Sequence, residues 1–402
     1  MPRFVLAPFR GLRFDPATVG ALGTVISPPY DVLDADTVRD LEGANRRNIV
    51  RLILARRFER PYLAVLKRLD AWRDRGFLRP DERAAVYLYE YAADGATVRG
   101  LVGLVGLRDF ADKVILPHED VMSGLVDDRV VLMRTTRTNL EPILLVHDGS
   151  AALRALTRSI SRRDPTVAFT ALDGSTHRLW AVAGADDLAR LSAELADTTA
   201  LIADGHHRYA AYGRLQDELR DPALPPGGSP WDYGLAMLVD QGDGALRIGP
   251  IHRTIGALTM ADLADLAEER TDLLEPAPDR ETALASQARS HLDPGEAVFA
   301  VSDGRAWATL RTARTAPVDA AVLHQTLLPA WGVAEEQLGY HHSLDQALNN
   351  IARSPGLLVA VQPPTLAQVM DAAARGQRMP RKSTSFSPKP RMGVIMRDLR
   401  DT

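Results

Sequence analysis

The sequence predicts a mixed α/β chain of the α+β class, and three observations predict it. Short runs of β-forming residues recur on either side of Asp-Gly pairs, at 83–91 and 98–107 around Asp94-Gly95 and at 296–312 around Asp303-Gly304. Between such runs lie stretches with apolar residues at helical spacing, such as 186–196 (DDLARLSAELA), with its acids near the start. The 402 residues correspond to two or three domains, at roughly 150 residues per domain. Hydrophobic residues at 46% and charged residues at 25% are ordinary globular values, and 29 Gly with 26 Pro rule out a fibrous or largely disordered chain.

From the N-terminus, Met1 to Pro8 holds too short an apolar run for a signal peptide, and no segment has the apolar length of a membrane span. A cytoplasmic protein is expected. Pro142–His147 (PILLVH) reads as a buried strand and 177–183 (HRLWAVA) as another. A short apolar strand at Thr199–Ile202 runs into Ala203-Asp204-Gly205-His206-His207-Arg208, and a helix follows to about Arg220. Residues 221–230 form a loop by composition, and a further pair of strands brackets Asp243-Gly244 and ends at 249–253. Residues 257–300 carry ten acids against three bases in mostly helical patterning, which predicts a separate subdomain with a solvated acidic face. Its role is open between a lid and a contact in a homodimer. The last stretch has a strand (GLLVAV), a helix after Pro363-Pro364, and a tail with eight Lys/Arg against two Asp from 375 on.

There are no cysteines, so disulfides, thiolate nucleophiles, Fe–S clusters and Cys-ligated zinc are excluded. The net charge of −4 and the lack of a helix-turn-helix argue against nucleic acid as a partner. A Walker A loop, a Gly-x-Gly-x-x-Gly fingerprint and a zinc-protease signature are also absent. The adjacent pair His341-His342 makes a poor metal site, because neighbouring side chains diverge.

The sharpest local signal is Asp204-Gly205-His206-His207-Arg208-Tyr209. A strand that breaks at Asp-Gly and opens into a helix presents free backbone N–H groups and the positive end of the helix dipole to an anion. Gly205 allows close approach, and His206, His207 and Arg208 add donors suited to phosphate or carboxylate. The plainer alternative is an Asp N-cap with surface histidines. His118-Glu119-Asp120, trailed by Asp127-Asp128-Arg129, places a carboxylate beside a histidine, which suits a general base or a divalent cation. In the tail, Lys382, Ser383, Thr384 and Lys389 combine point charges with hydroxyls in a proline-stiffened segment able to wrap a phosphate. Met379, Phe386 and Val394 give that tail something to bury. Ser27-Pro28-Pro29-Tyr30-Asp31 reads mainly as a rigid packing turn.

These segments, in this order, resemble the DUF1015 family, a widespread bacterial family of domains of unknown function related to the ParB/sulfiredoxin superfamily. The resemblance rests on Pro28-Pro29-Tyr30-Asp31-Val32, His118-Glu119 with Asp128-Arg129, and Asp204 to Tyr209. It continues through His252-Arg253 and Met379-Pro380-x-Lys382-Ser383-Thr384-x-Phe386-x-Pro388-Lys389. It implies a ParB/sulfiredoxin-like core with N-terminal elaboration over 1–255, a smaller acidic α/β subdomain over 256–330, and a segment 331–402 whose basic tail returns to the core. The superfamily's free-serine kinases imply phosphorylation of L-serine with ATP or ADP and Mg²⁺. By that resemblance Glu119, Asp204 and His118 are the catalytic residues, and Asp204 is also the metal ligand. Gly205, His206, His207, Arg208, Lys382, Ser383, Thr384 and Lys389 bind phosphate and nucleotide, while His252 and Arg253 bind substrate. The competing expectation is a nucleotide-binding regulatory module of ParB type without small-molecule turnover. A metal-dependent phosphohydrolase built on the His and Asp cluster is a third.

Overall fold

A computed structural model describes residues 3–54, 61–93, 95–243, 246–256, 258–289 and 295–401. The chain divides into two compact units, and the division is discontinuous in sequence. Met1–Pro117, Val121–Leu246 and Pro388–Thr402 form the first, while His118–Asp120 and Arg247–Ser387 form the second.

The first unit is built on a nine-stranded mixed sheet. Its path runs Ile115–Leu116, Ala200–Asp204, Ile143–His147, Tyr233–Asp240, Ala96–Gly106, Val86–Ala93, Thr176–Val182 and Val167–Thr170, with Leu6–Ala7 pairing beside Ala96–Gly106. Val86–Ala93 and Ala96–Gly106 form the expected hairpin, with Ala93 opposite Ala96; Asp94 lies outside the described residues. Ile143–His147 is buried at every position, as its unbroken apolar run predicts for a strand covered on both faces. It runs parallel to Tyr233–Asp240 and antiparallel to Ala200–Asp204. Helices His206–Leu219 and Ser123–Thr136 pack on each other, and Tyr209, Ala211, Tyr212 and Leu215 join the apolar cluster of this unit. A four-stranded sheet, Leu78–Pro80, Gly11–Phe14, Met396–Asp398 and Thr138–Asn139, places a strand from the end of the chain between strands from its start and middle.

The second unit is a six-stranded antiparallel sheet in the order Leu273–Ala277, Trp307–Ala313, Glu296–Ser302, Leu357–Ala360, His252–Ile255, Leu338–His341. The expected hairpin at Asp303-Gly304 supplies its second and third strands. Two helices start at capping boxes that the sequence carries openly, Thr259 with Asp262 and, just after Pro363-Pro364, Thr365 with Gln368.

Two expectations are corrected here. The strands around Asp243 are not partners: Tyr233–Asp240 joins the nine-stranded sheet, whereas Arg247–Gly249 pairs with Ser385–Ser387 in the other unit. Gly244 lies outside the described residues. The boundaries expected near 255 and 330 are also replaced. Residues 257–300 supply strands to the same sheet as Leu338–His341 and Leu357–Ala360, and Ala297 and Phe299 share one apolar cluster with Leu357 and Val359.

Candidate functional site

In the first unit the Asp204 motif folds as strand, tight turn and helix. Ala200 to Ala203 are buried among neighbouring strands, and Asp204 at the strand end is partly exposed. Gly205 has φ +97°, and a Cβ there would lie 2.9 Å from Ile143 Cγ2 and 3.1 Å from Arg208 Nε. Glycine is therefore required twice, by conformation and by close approach. The helix His206–Leu219 then begins with no side-chain cap from Gly205.

Asp204 carries two cationic partners. Its Oδ1 accepts from Lys389 Nζ at 2.7 Å and its Oδ2 accepts from the Arg208 guanidinium. Burial alone would raise this carboxyl, but Lys389 and Arg208 outweigh it and hold the acid at about 2. Arg208 is buried, donates to the Pro142 carbonyl and lies 3.1 Å from Glu141 Oε2. Burial would lower its pKa, yet Glu141 and Asp204 raise it above the usual arginine value. Glu141 also lies 3.5 Å from Arg129, whose guanidinium stacks 4.6 Å from the Tyr30 ring centre. Burial, opposed by Arg208 and Arg129, raises the Tyr30 hydroxyl. Lys389, Arg208 and Arg129 thus pair with Asp204, Glu141 and Asp128, a charge-balanced network that fixes cations beside a helix N-terminus, where an anion is favoured. His207 serves differently from expectation: its Nε2 accepts from the Met122 N–H at 3.0 Å, tying the helix start to the Ser123–Thr136 helix entrance. His206 is buried beside Asp204 and helps to lower it.

Lys389 is held in place from both sides. The Tyr91 hydroxyl donates to the Pro388 carbonyl at 2.6 Å, and Arg391 pairs with Asp173. Tyr91 itself is fully buried.

In the second unit the structure brings His118 and Glu119 to the tail. Met379 N–H donates to the His118 carbonyl at 2.8 Å, and Glu119 bridges to Met379. Glu119 Oε1 accepts from the amides of Ser383 (3.1 Å) and Thr384 (3.3 Å) and from the Thr384 hydroxyl (3.3 Å). His118 is fully buried, with Nε2 2.8 Å from Thr384 Oγ1. Burial raises Glu119 above the ordinary carboxylate value despite those hydrogen bonds and the Lys382 charge. Lys382 is exposed and has φ +58°, a left-handed conformation uncommon for a lysine.

His252 and Arg253, expected to bind substrate, face inward instead. His252 Nδ1 accepts from the Val361 N–H at 3.3 Å; burial, with Arg253 nearby, lowers its pKa to about 4. Arg253 is fully buried and donates to main-chain carbonyls of Ile251 and Lys382. The reason is position: both stand on a strand between two others in the sheet.

Asp204 was also the expected ligand of Mg²⁺. Both of its oxygens accept from cationic donors, and among the described residues no group of three or more His, Asp or Glu converges on a metal position. The residues present do not fit a resident Mg²⁺. Glu141 and Tyr91 were missed by sequence reasoning, and Tyr30 was taken only as packing. Tyr91 meets Pro388, Tyr30 meets Arg129 and Glu141 meets Arg208 more than 60 positions away in the chain, and no local spacing signals that.

The family described as "Protein of unknown function (DUF1015)" matches residues 6–332. No curated protein matches the chain. Among solved structures, a variant of a free serine kinase in complex with ADP is similar at 15% identity and a TM-score of 0.40, over 74% of this chain and 91% of that one. A free serine kinase in complex with AMP is similar at 16% identity and a TM-score of 0.39, over 74% and 90%. A conserved hypothetical protein from Pyrococcus furiosus is similar at 14% identity and a TM-score of 0.39, over 75% and 96%. No helix among the described residues is long and apolar enough to cross a membrane.

Proposed function

We propose that this chain, which belongs to the DUF1015 family, is a small-molecule kinase that transfers the terminal phosphoryl group of ATP or ADP to the hydroxyl of free L-serine. The observation that carries the reading is the Asp204 junction: an uncapped helix start after a left-handed glycine, with Lys389 and Arg208 gathered on one carboxylate. Such a junction suits the phosphates of a nucleotide, since backbone N–H groups, the helix dipole and two fixed cations all favour negative charge. The motif resemblance supports the choice of acceptor.

Phosphoryl transfer asks for positioning and charge neutralisation more than covalent chemistry by the protein. In this reading the serine oxygen attacks the terminal phosphorus, the bond to the departing ADP (or AMP) oxygen breaks, and the hydroxyl proton passes to a carboxylate base, the role that the motif resemblance implies for Glu119. A carboxylate raised by burial is a better proton acceptor than an ordinary one. Asp204 orients Lys389 and Arg208, and those two offset charge on the phosphates. Mg²⁺ belongs to this reading only as the companion of the nucleotide. The two clusters stand in separate units, and each role rests on its own cluster's chemistry.

Phosphorus NMR on purified protein with L-serine, Mg²⁺ and either donor tests the proposal. Growth of phosphoserine matched by loss of the donor's terminal phosphate is the expected result. Nucleotide binding without phosphoserine would turn the reading to a nucleotide-responsive regulatory module. Glu119→Gln should lower turnover by about 10²–10⁴-fold. Wild-type turnover in both Glu119→Gln and Asp204→Asn would remove the assigned roles. The rate should fall on acidification through a pKa above the ordinary glutamate value, because the working form of Glu119 is the carboxylate.

A further inference from the structure

Arg253 is a buried cation with an unusual set of partners. Its Nε donates to His324 Nε2 at 3.0 Å, and its Nη2 donates to the carbonyls of Lys382 at 2.9 Å and Arg381 at 3.3 Å. Its Nη1 donates to the Ile251 carbonyl at 2.5 Å, and its guanidinium lies 4.5 Å from the Tyr340 ring centre. His324 projects from a π-helical turn, Leu323–Leu327, an irregularity that costs helix regularity and aims a side chain. Arg381 is anchored as well: Glu335 Oε1 accepts from Arg381 Nε and from the Tyr340 hydroxyl, each at 3.0 Å. What these contacts hold is the main chain at Lys382, in its left-handed conformation one residue before the two amides that bond Glu119. A strained non-glycine residue persists only where its surroundings over-determine it.

We propose that Arg253 is a positioning residue: its fork on the Arg381 and Lys382 carbonyls holds the turn that keeps the Ser383 and Thr384 amides on Glu119. A planar guanidinium supplies donors in several fixed directions, whereas a lysine supplies a point charge. The groups facing Glu119 are the His118 ring at 3.7 Å, Lys382, Arg253 and the Ser383 and Thr384 donors. Those two amides favour the carboxylate, so their release raises the Glu119 pKa further. The catalytic consequence rests on the kinase reading; the positioning itself does not.

The experiment uses the full chain as wild type and as Arg253→Lys. Hydrogen exchange read by mass spectrometry should show the 382–384 amides opening about tenfold faster in the variant, with Leu357–Ala360 unchanged. The acid limb of phosphoserine formation should move to higher pH while the plateau is kept. A merely structural loss would lower the rate at every pH without moving the limb. Unchanged exchange at 382–384 overturns the proposal whatever the enzyme does. Faster exchange with an unmoved limb overturns the link to Glu119. If the wild type makes no phosphoserine, the kinase reading fails and the exchange result alone decides the positioning claim. Arg253→Met, which keeps the stem and removes the buried charge, is used in the same assay if Arg253→Lys does not fold.

Discussion

Asp204 shows how much one residue depends on its partners. A carboxylate at the end of a buried strand is costly unless paired, and here Lys389 and Arg208 take one oxygen each. Lys389→Met should therefore destabilise the fold by about 1–3 kcal/mol, measured by urea unfolding near neutral pH. The sign with pH follows from the direction of the shift. The folded pKa is depressed from 3.8 to about 2, so the stabilisation is complete above the unfolded value and is lost as pH falls from one to the other. In Lys389→Met that acid-limb loss should be shallower. Equal limbs in the two proteins would show that Lys389 does not hold the Asp204 charge. The motif itself was legible from the sequence; its partner was not, since Lys389 lies 185 positions away.

At the scale of the element, two glycines at the helix His206–Leu219 meet opposite demands, one before it and one inside it. Gly205 precedes it at φ +97° with Ile143 and Arg208 within about contact distance of any added Cβ. Gly213 lies inside it, and a Cβ there meets nothing within 4 Å. Gly205→Ala should lower stability by about 1–3 kcal/mol, and Gly213→Ala should raise it by about 0.5–1 kcal/mol. Thermal melts of both variants check the pair. A gain in Gly205→Ala would mean the turn does not need its left-handed residue. The start of this helix was readable from Asp-Gly, and so was its end near Arg220, because both signals are local.

At the scale of the molecule, the end of the chain completes elements that begin far upstream. Pro388–Thr402 belongs to the first unit, and Met396–Asp398 lies between Gly11–Phe14 and Thr138–Asn139. Met392, Val394, Ile395, Met396 and Leu399 are all buried. At about 1.5–3 kcal/mol for each large apolar side chain, their loss rivals the whole stability of an ordinary domain. A chain ending at Ser387 should show no cooperative calorimetric transition for the first unit. A transition like that of the full chain would contradict the strand's role. The same segment carries Lys389, so one tail supplies both structure and charge.

The sequence by itself determined what periodicity and turn chemistry encode. These are the mixed α/β class, the Val86–Ala93 and Ala96–Gly106 hairpin, the buried Ile143–His147 strand, the helix after Pro363-Pro364, and the strand–glycine–helix junction at Asp204. It also carried the motifs by which the family is known. Tertiary structure alone decided which of those segments meet. It put Ser383 and Thr384 on Glu119, Lys389 on Asp204, and Glu141 between Arg129 and Arg208; it also buried Arg253 against main-chain carbonyls. The physical reason is range. A turn or a cap is satisfied within a few residues and leaves its mark in their order, whereas a buried charge takes whichever partner the packed core brings to it.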